Sequence, residues 1–215
     1  MPKVVTIFTG DLVGSTKAGQ HTVDRAMSVL QDAAQAVAQM AMADTRFTRF
    51  RGDGWQIYLD LPGLALRGAL TMTARLGAAD LGISTRIAVG TGSVDRVGPI
   101  HLSDASGDAF VISGHALDAM PRNRRLVTEG RDHVPDWQAA IFQLVDWQSA
   151  RWSPAQTQAV AAALEADTTL TWAEIAAQIG ITRQALQARL KGAGFDALGG
   201  GLQAFESHDY DKVSR

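Results

Sequence analysis

Two aspartates, Asp11 and Asp53, each stand where an apolar run meets a glycine turn. Asp11 follows Val4-Val5-Thr6-Ile7-Phe8 and opens the segment Asp11-Leu12-Val13-Gly14-Ser15-Thr16. A carboxylate at a strand end, followed by a small-residue turn that opens a helix, is a place to hold a metal ion and a phosphate. The strand aims the carboxylate, and the free N–H groups of the turn can face an anion. Asp53 lies in Gly52-Asp53-Gly54, a hairpin signal. Two carboxylates from adjoining strands, completed by phosphate oxygens, describe a Mg²⁺ or Mn²⁺ site, and two such ions suit phosphoryl or nucleotidyl transfer. Asp-Gly is also a common hairpin turn, and an Asp ahead of a helix is often only a cap. The expectation therefore rests on the pair.

The elements that would position the pair are legible in the pattern. A strand over about Lys3–Thr9 precedes an Ala-rich segment, 21–43, free of Gly and Pro, whose Val29, Leu30, Ala33, Val37 and Met40 form a helical stripe. Arg46–Arg51 and Trp55–Leu61 read as strands flanking the Asp53 turn. Pro62 opens a helix to about Leu76, and Ile83–Gly90 is a further strand. The order β-α-β-β-α-β is the ferredoxin-like split motif, an α+β fold with an antiparallel sheet and both helices on one face. It places Asp11 and Asp53 on adjoining strands. A short strand near Pro99–Leu102, a helix over Asp108–Met120 and a strand at Arg125–Thr128 are expected to extend it.

From Trp152 onward the pattern is helical only. Ser153-Pro154 starts one helix. Thr171 caps a second, and Gly180-Ile181 turns into a third, capped by Thr182 and running Arg183–Lys191. Two short helices across such a turn read as a helix-turn-helix. The division expected is 1–148 for the α+β part and 149–215 for a winged-helix-like module with a polar tail. Arg183, Gln187 and Lys191 fall at i, i+4, i+8 on one exposed face, with Gln184 beside them. Arg and Gln are the donors that major-groove reading uses. The module from Ala150 onward has six basic and seven acidic residues, net −1, so a dimer would help it neutralise phosphates. The alternative is a helical module for protein contact.

Composition bounds the rest. The chain has 215 residues, 46% apolar and 20% charged, with net charge −2. That is ordinary globular composition, and it gives no global basicity to advertise nucleic acid. Zero Cys excludes disulfides and thiolate metal sites. With no signal-peptide pattern and no apolar run of about 20 residues, a cytoplasmic protein without membrane contact is expected. The five His show no zinc-ligand spacing.

Thr9-Gly10-Asp11-Leu12-Val13-Gly14-Ser15-Thr16 resembles the first metal and phosphate motif of class III nucleotidyl cyclases, and Phe50-Arg51-Gly52-Asp53-Gly54 their second. Arg86-Ile87-Ala88-Val89-Gly90-Thr91-Gly92 is similar to the following family strand, and Gly107-Asp108-Ala109-Phe110 to the start of its next helix. These segments span about residues 3–120. The closer resemblance is to the SatD family of cyclase-like proteins. It implies a cyclase-type ferredoxin-like fold, metal at Asp11 and Asp53, phosphate at Gly14, Ser15 and Thr16, and a base-selecting role for Arg49. It also implies a site completed between two subunits. The family's Asn and transition-state Arg positions fall on Val111 and His115. Val offers no hydrogen bond, and a neutral His is a weak substitute for a guanidinium. Arg122, Arg124 and Arg125 read either as a substitute source of that charge from a different place or, the more ordinary case, as a solvated turn.

The first functional expectation is a nucleotide-responsive, DNA-binding regulator, dimeric, with a metal-nucleotide or cyclic nucleotide at Asp11 and Asp53. The second is a divergent two-metal cyclase or nucleotidyltransferase, with Asp11 and Asp53 catalytic and His115 standing in for the missing group. A third is an assembly scaffold.

Overall fold

A computed structural model of the chain describes residues 3–50, 52–166 and 169–210. The strands are β1 (Val4–Val13), β2 (Thr45–Phe50), β3 (Gly54–Leu59), β4 (Ser84–Ser93) and β5 (Leu126–Glu129). They form one sheet in the order β2-β3-β1-β4-β5. The first four pair antiparallel, whereas β5 joins β4 in parallel. The four core strands are antiparallel as expected, and the added strand β5 makes the five-stranded sheet mixed.

Helices α1 (Ser15–Ala18) and α2 (Gln20–Met40) follow β1, and α3 (Ala65–Ala78) follows a 3₁₀ turn over Pro62–Leu64. Alternation along β1 sorts its side chains onto two faces. Phe8 and Leu12 join the core against α2 and α3. Val5 and Ile7 pack on the other face with Tyr58, Leu102 and Ala109. That second face carries α4 (Asp108–Asp118), so helices cover both sides of the sheet. Residues 99–102 form no strand; the loop closes instead through a single bridge, Arg96 to Ser106.

After a 3₁₀ turn over Arg131–His133, helices α5 (Asp136–Ser149), α6 (Pro154–Glu165), α7 (Trp172–Gln178), α8 (Arg183–Ala193) and α9 (Phe195–Glu206) complete the chain's described elements. The starts have clear local causes. Ser153 and Gln156 form a capping box, as do Thr171 and Glu174, and the Thr182 hydroxyl accepts from the Ala185 amide. These helices do not stand apart from the sheet. α6 lies along α3, where a Cβ on Gly77 would meet Thr157 at 2.9 Å. One apolar cluster runs from Phe8, Trp55 and Leu70 through Val160 and Leu164 to Leu186, Leu190 and Phe205. Arg75 engages both carboxylate oxygens of Glu165, and Arg67 donates to Glu206 at 2.7 Å and to the Leu164 carbonyl at 3.1 Å. Among the described residues, no helix is long and apolar enough to cross a membrane.

Candidate functional site

The site is built near the end of β1, which does not stop at Thr9 as expected but runs past Asp11 to Val13 along β4, so Asp11 lies within the strand and not at its end. Asp11 lies opposite Gly54 of β3 and Arg86 of β4, and the Leu12 amide donates to the Asp53 carbonyl at 3.1 Å. The backbones of the two aspartates thus meet, as the strand order requires. Their side chains have different partners. The Ser15 hydroxyl donates to Asp53 Oδ2 at 2.6 Å. Arg86 engages both oxygens of Asp11, with Nε to Oδ1 at 2.9 Å.

Gly14 turns the chain from β1 toward Ser15 with φ near 92°, a left-handed conformation that glycine adopts without a Cβ penalty. The helix it opens, α1, is only four residues long and ends at Gly19. It has too few aligned peptides to develop a useful dipole. The long helix begins only at Gln20. Gly14 and Thr16 are exposed and Ser15 is half-buried.

Arg86 faces α4, on the same side of the sheet as Asp11. Hydrogen bonding to Asp11 holds its guanidinium above the usual range, against desolvation, and Asp118 on α4 adds to the same field. Further along this face the Thr9 and Ser113 hydroxyls lie 2.7 Å apart, and Gln56 donates to Thr9 at 3.2 Å. A polar strip thus runs from the Asp11–Arg86 pair to α4.

Arg49 sits at the other side of the hairpin. It donates to Asp24 of α2 at 2.6 Å and to the Gly52 carbonyl at 2.7 Å. That bond, followed by one from Gln20, pulls the Asp24 carboxyl below its ordinary value. Arg49 therefore clips the Asp53 hairpin to α2. His115 and Val111 are both exposed on α4. In the basic cluster, Arg122 and Arg125 are exposed, but Arg124 is half-buried and donates to Asp146 at 2.5 Å. Asp146 also accepts the Arg125 and Leu126 amides, each at 3.1 Å, and so anchors the start of β5. Arg124 belongs to the scaffold and not to a solvated turn.

The second group of expected residues lies on α8. Arg183, Gln184, Gln187 and Lys191 are exposed, while Leu186, Leu190 and Ala193 are buried. A cavity of about 720 Å³ lies at the opposite end of β1 from Asp11, lined by Lys3, Pro62 and Tyr210 among others, and touches neither group.

Arg86 is the residue whose role the sequence did not disclose. Its signal was a lone cation in an otherwise uncharged strand, and its partner follows only from the β1–β4 register. Compared with known proteins, the chain matches no family model and no curated protein.

Asp11, Asp53 and Ser15 offer the hard oxygen donors that Mg²⁺ or Mn²⁺ takes. Among the described residues, no three His, Cys, Asp or Glu side chains group to hold a metal ion. Phosphate or water oxygens would have to complete the shell. The donor types fit a cation on two conditions: Arg86 must yield the Asp11 carboxylate, and the Ser15 hydroxyl must turn its proton away from Asp53.

Proposed function

We propose that the chain is a nucleotide-responsive, DNA-binding regulator. In this reading the sheet with α2, α3 and α4 is a ferredoxin-like, class III cyclase-type unit, and α7 and α8 are a helix-turn-helix. The observation that carries it is the sorting of α8. Four of its five long polar donors, Arg183, Gln184, Gln187 and Lys191, face outward, the fifth, Arg189, donates to Gln158 of α6 at 3.0 Å, and Leu186, Leu190 and Ala193 join the shared core. Such a helix presents Arg, Gln and Lys as one edge, suited to base edges and phosphates in a major groove.

The ligand proposed for the other site is a metal-bound nucleotide. Asp53, Ser15 and a released Asp11 would hold the cation, which would supply charge neutralisation for the phosphates. Arg86, once freed, becomes a guanidinium available to a phosphate oxygen. Binding is favoured over turnover because Asp11 is fully engaged by Arg86, and because the α4 positions that resemblance assigns to the transition state hold Val111 and His115. The sharing of one core between α3 and α6 argues that a ligand acts by changing how two copies present their α8 helices, not by swinging α8 within one chain.

The test is fluorescence anisotropy with duplex DNA from upstream of the protein's own gene, between about 50 and 200 mM salt. Specific binding should weaken as salt rises, and Arg183→Ala should cost about tenfold in affinity. No specific binding at low salt, with Arg183→Ala without effect, removes the DNA assignment. Cyclic product formed from a nucleoside triphosphate, and lost in Asp11→Ala, would replace binding by catalysis.

A further inference from the structure

Helix α5 packs on β5, α3 and α9 through Gln138, Phe142, Val145 and Asp146. Its other side is unusual for a surface. At 100° per residue, Asp136, Ala140, Gln143, Leu144, Trp147 and the following Arg151 fall on one face, and all six are exposed. Leu144 is 66% exposed and Trp147 61% exposed, so this is open apolar area and not the rim of the core. Between Asp136 and Arg151 the only ionic residue is Asp146, which is buried. An exposed stretch without charge between these two end charges points to a partner that is itself uncharged at its centre.

The spacing identifies that partner. We infer that α5 pairs with α5 of a second copy, antiparallel, about a two-fold axis between Gln143 and Leu144. In that register each residue meets the one whose number brings the pair to a common sum. Trp147 meets Ala140, the largest side chain against the smallest, and Arg151 meets Asp136. An isologous contact makes every such pair twice. The stripe is therefore self-complementary in both volume and charge, with an apolar centre and an ion pair at each end. Arg151 is already held at the stripe, its guanidinium 3.9 Å from the Trp147 ring centroid. Asp136 and Arg151 stand about 22 Å apart along the axis. That length is one short helix, so the contact lies at the small end of stable interfaces, and association in the micromolar range is expected. Each dimer would carry two α8 helices, as recognition of a two-half-site DNA requires.

The experiment is sedimentation equilibrium of the full chain over about 1–100 μM, the range in which such an interface titrates. Wild type should pass from monomer to dimer, and Leu144→Glu or Trp147→Glu should raise the dissociation constant more than tenfold. Arg151→Asp and Asp136→Arg should each weaken the homodimer about tenfold. Mixing those two variants should restore dimer as a heterodimer, since both end pairs are then again opposite in sign. All four positions are exposed, and circular dichroism checks that each variant is folded. A chain that stays monomeric throughout overturns the inference. So does a dimer that Leu144→Glu and Trp147→Glu leave intact, or a mixture of the charge variants that does not associate.

Discussion

Asp11 and Arg86 lie directly opposite on β1 and β4, and the guanidinium of one spans both oxygens of the other's carboxylate. The pair is about one-third exposed on each side, 34% for Arg86 and 29% for Asp11, so it stabilises the fold by only about 1 kcal/mol. Its larger effect is competition: a cation arriving at Asp11 must displace a cation already there. Arg86→Gln should therefore cost little stability and increase the rise in Tm on adding Mn²⁺ relative to wild type. Asp53→Ala should abolish that rise, because a ligand that binds only the folded state must raise Tm. Thermal scans of the three proteins with and without Mn²⁺ decide it; an unchanged response in Arg86→Gln refutes the competition.

Two glycines, one facing α4 and one within it, make opposite predictions. A Cβ on Gly90 would lie 2.5 Å from the Ala109 carbonyl oxygen and 2.5 Å from the Ser113 amide nitrogen, both backbone atoms of α4. Gly90→Ala must push α4 off the sheet, at a cost of at least about 2 kcal/mol. Gly114, within α4, has nothing within 4 Å of its would-be Cβ, so Gly114→Ala should be neutral or stabilising by up to about 1 kcal/mol. Urea midpoints of the two variants should move in opposite directions, or Gly90 alone should move.

The helical part and the sheet should melt together. Gln148 donates to the Ala193 carbonyl at 2.6 Å and Trp152 to the same oxygen at 3.0 Å, while Arg75 holds Glu165 across the α3–α6 seam. A chain with one continuous core unfolds cooperatively. Calorimetry should give a single transition, and Arg75→Ala should lower it as a whole by about 1–3 kcal/mol. Two resolved transitions, with only one shifted by Arg75→Ala, would refute this.

Tyr58 and Tyr210 are the chain's two tyrosines, and burial pushes both phenols above their ordinary value. The neutral form is the one the fold favours. The folded protein then keeps protons that the unfolded chain has released. Stability is intact below about pH 10 and falls as pH rises past it. Tyr210→Phe should flatten that alkaline loss, measured by urea unfolding at several pH values, and at about pH 10 native protein should show less tyrosinate absorbance than the unfolded chain.

What could be read from the sequence follows from the strength of local pattern. The Asp53 hairpin, the caps at Ser153, Thr171 and Thr182, and the outward face of α8 all carry short-range signals. Helix α5 did not, because its buried side includes Gln138 and Asp146 while Leu144 and Trp147 face solvent. Its apolar periodicity is inverted relative to an ordinary surface helix. The expected strand near Pro99 failed because that loop is held by side chains, Thr48 to the Leu102 amide and Arg46 to the Pro99 carbonyl, and not by a ladder. The Asp11–Arg86 pair needed a register, which no local pattern states.

The single apolar cluster that reaches from Phe8 to Phe205 also fixes when folding can finish. A ribosome delivers β1 to β5 while α3 still lacks α6 and α9 to cover it. Until α9 emerges, the nascent chain carries an uncovered seam of Leu66, Leu70 and neighbouring side chains, and depends on its own later synthesis to hide them.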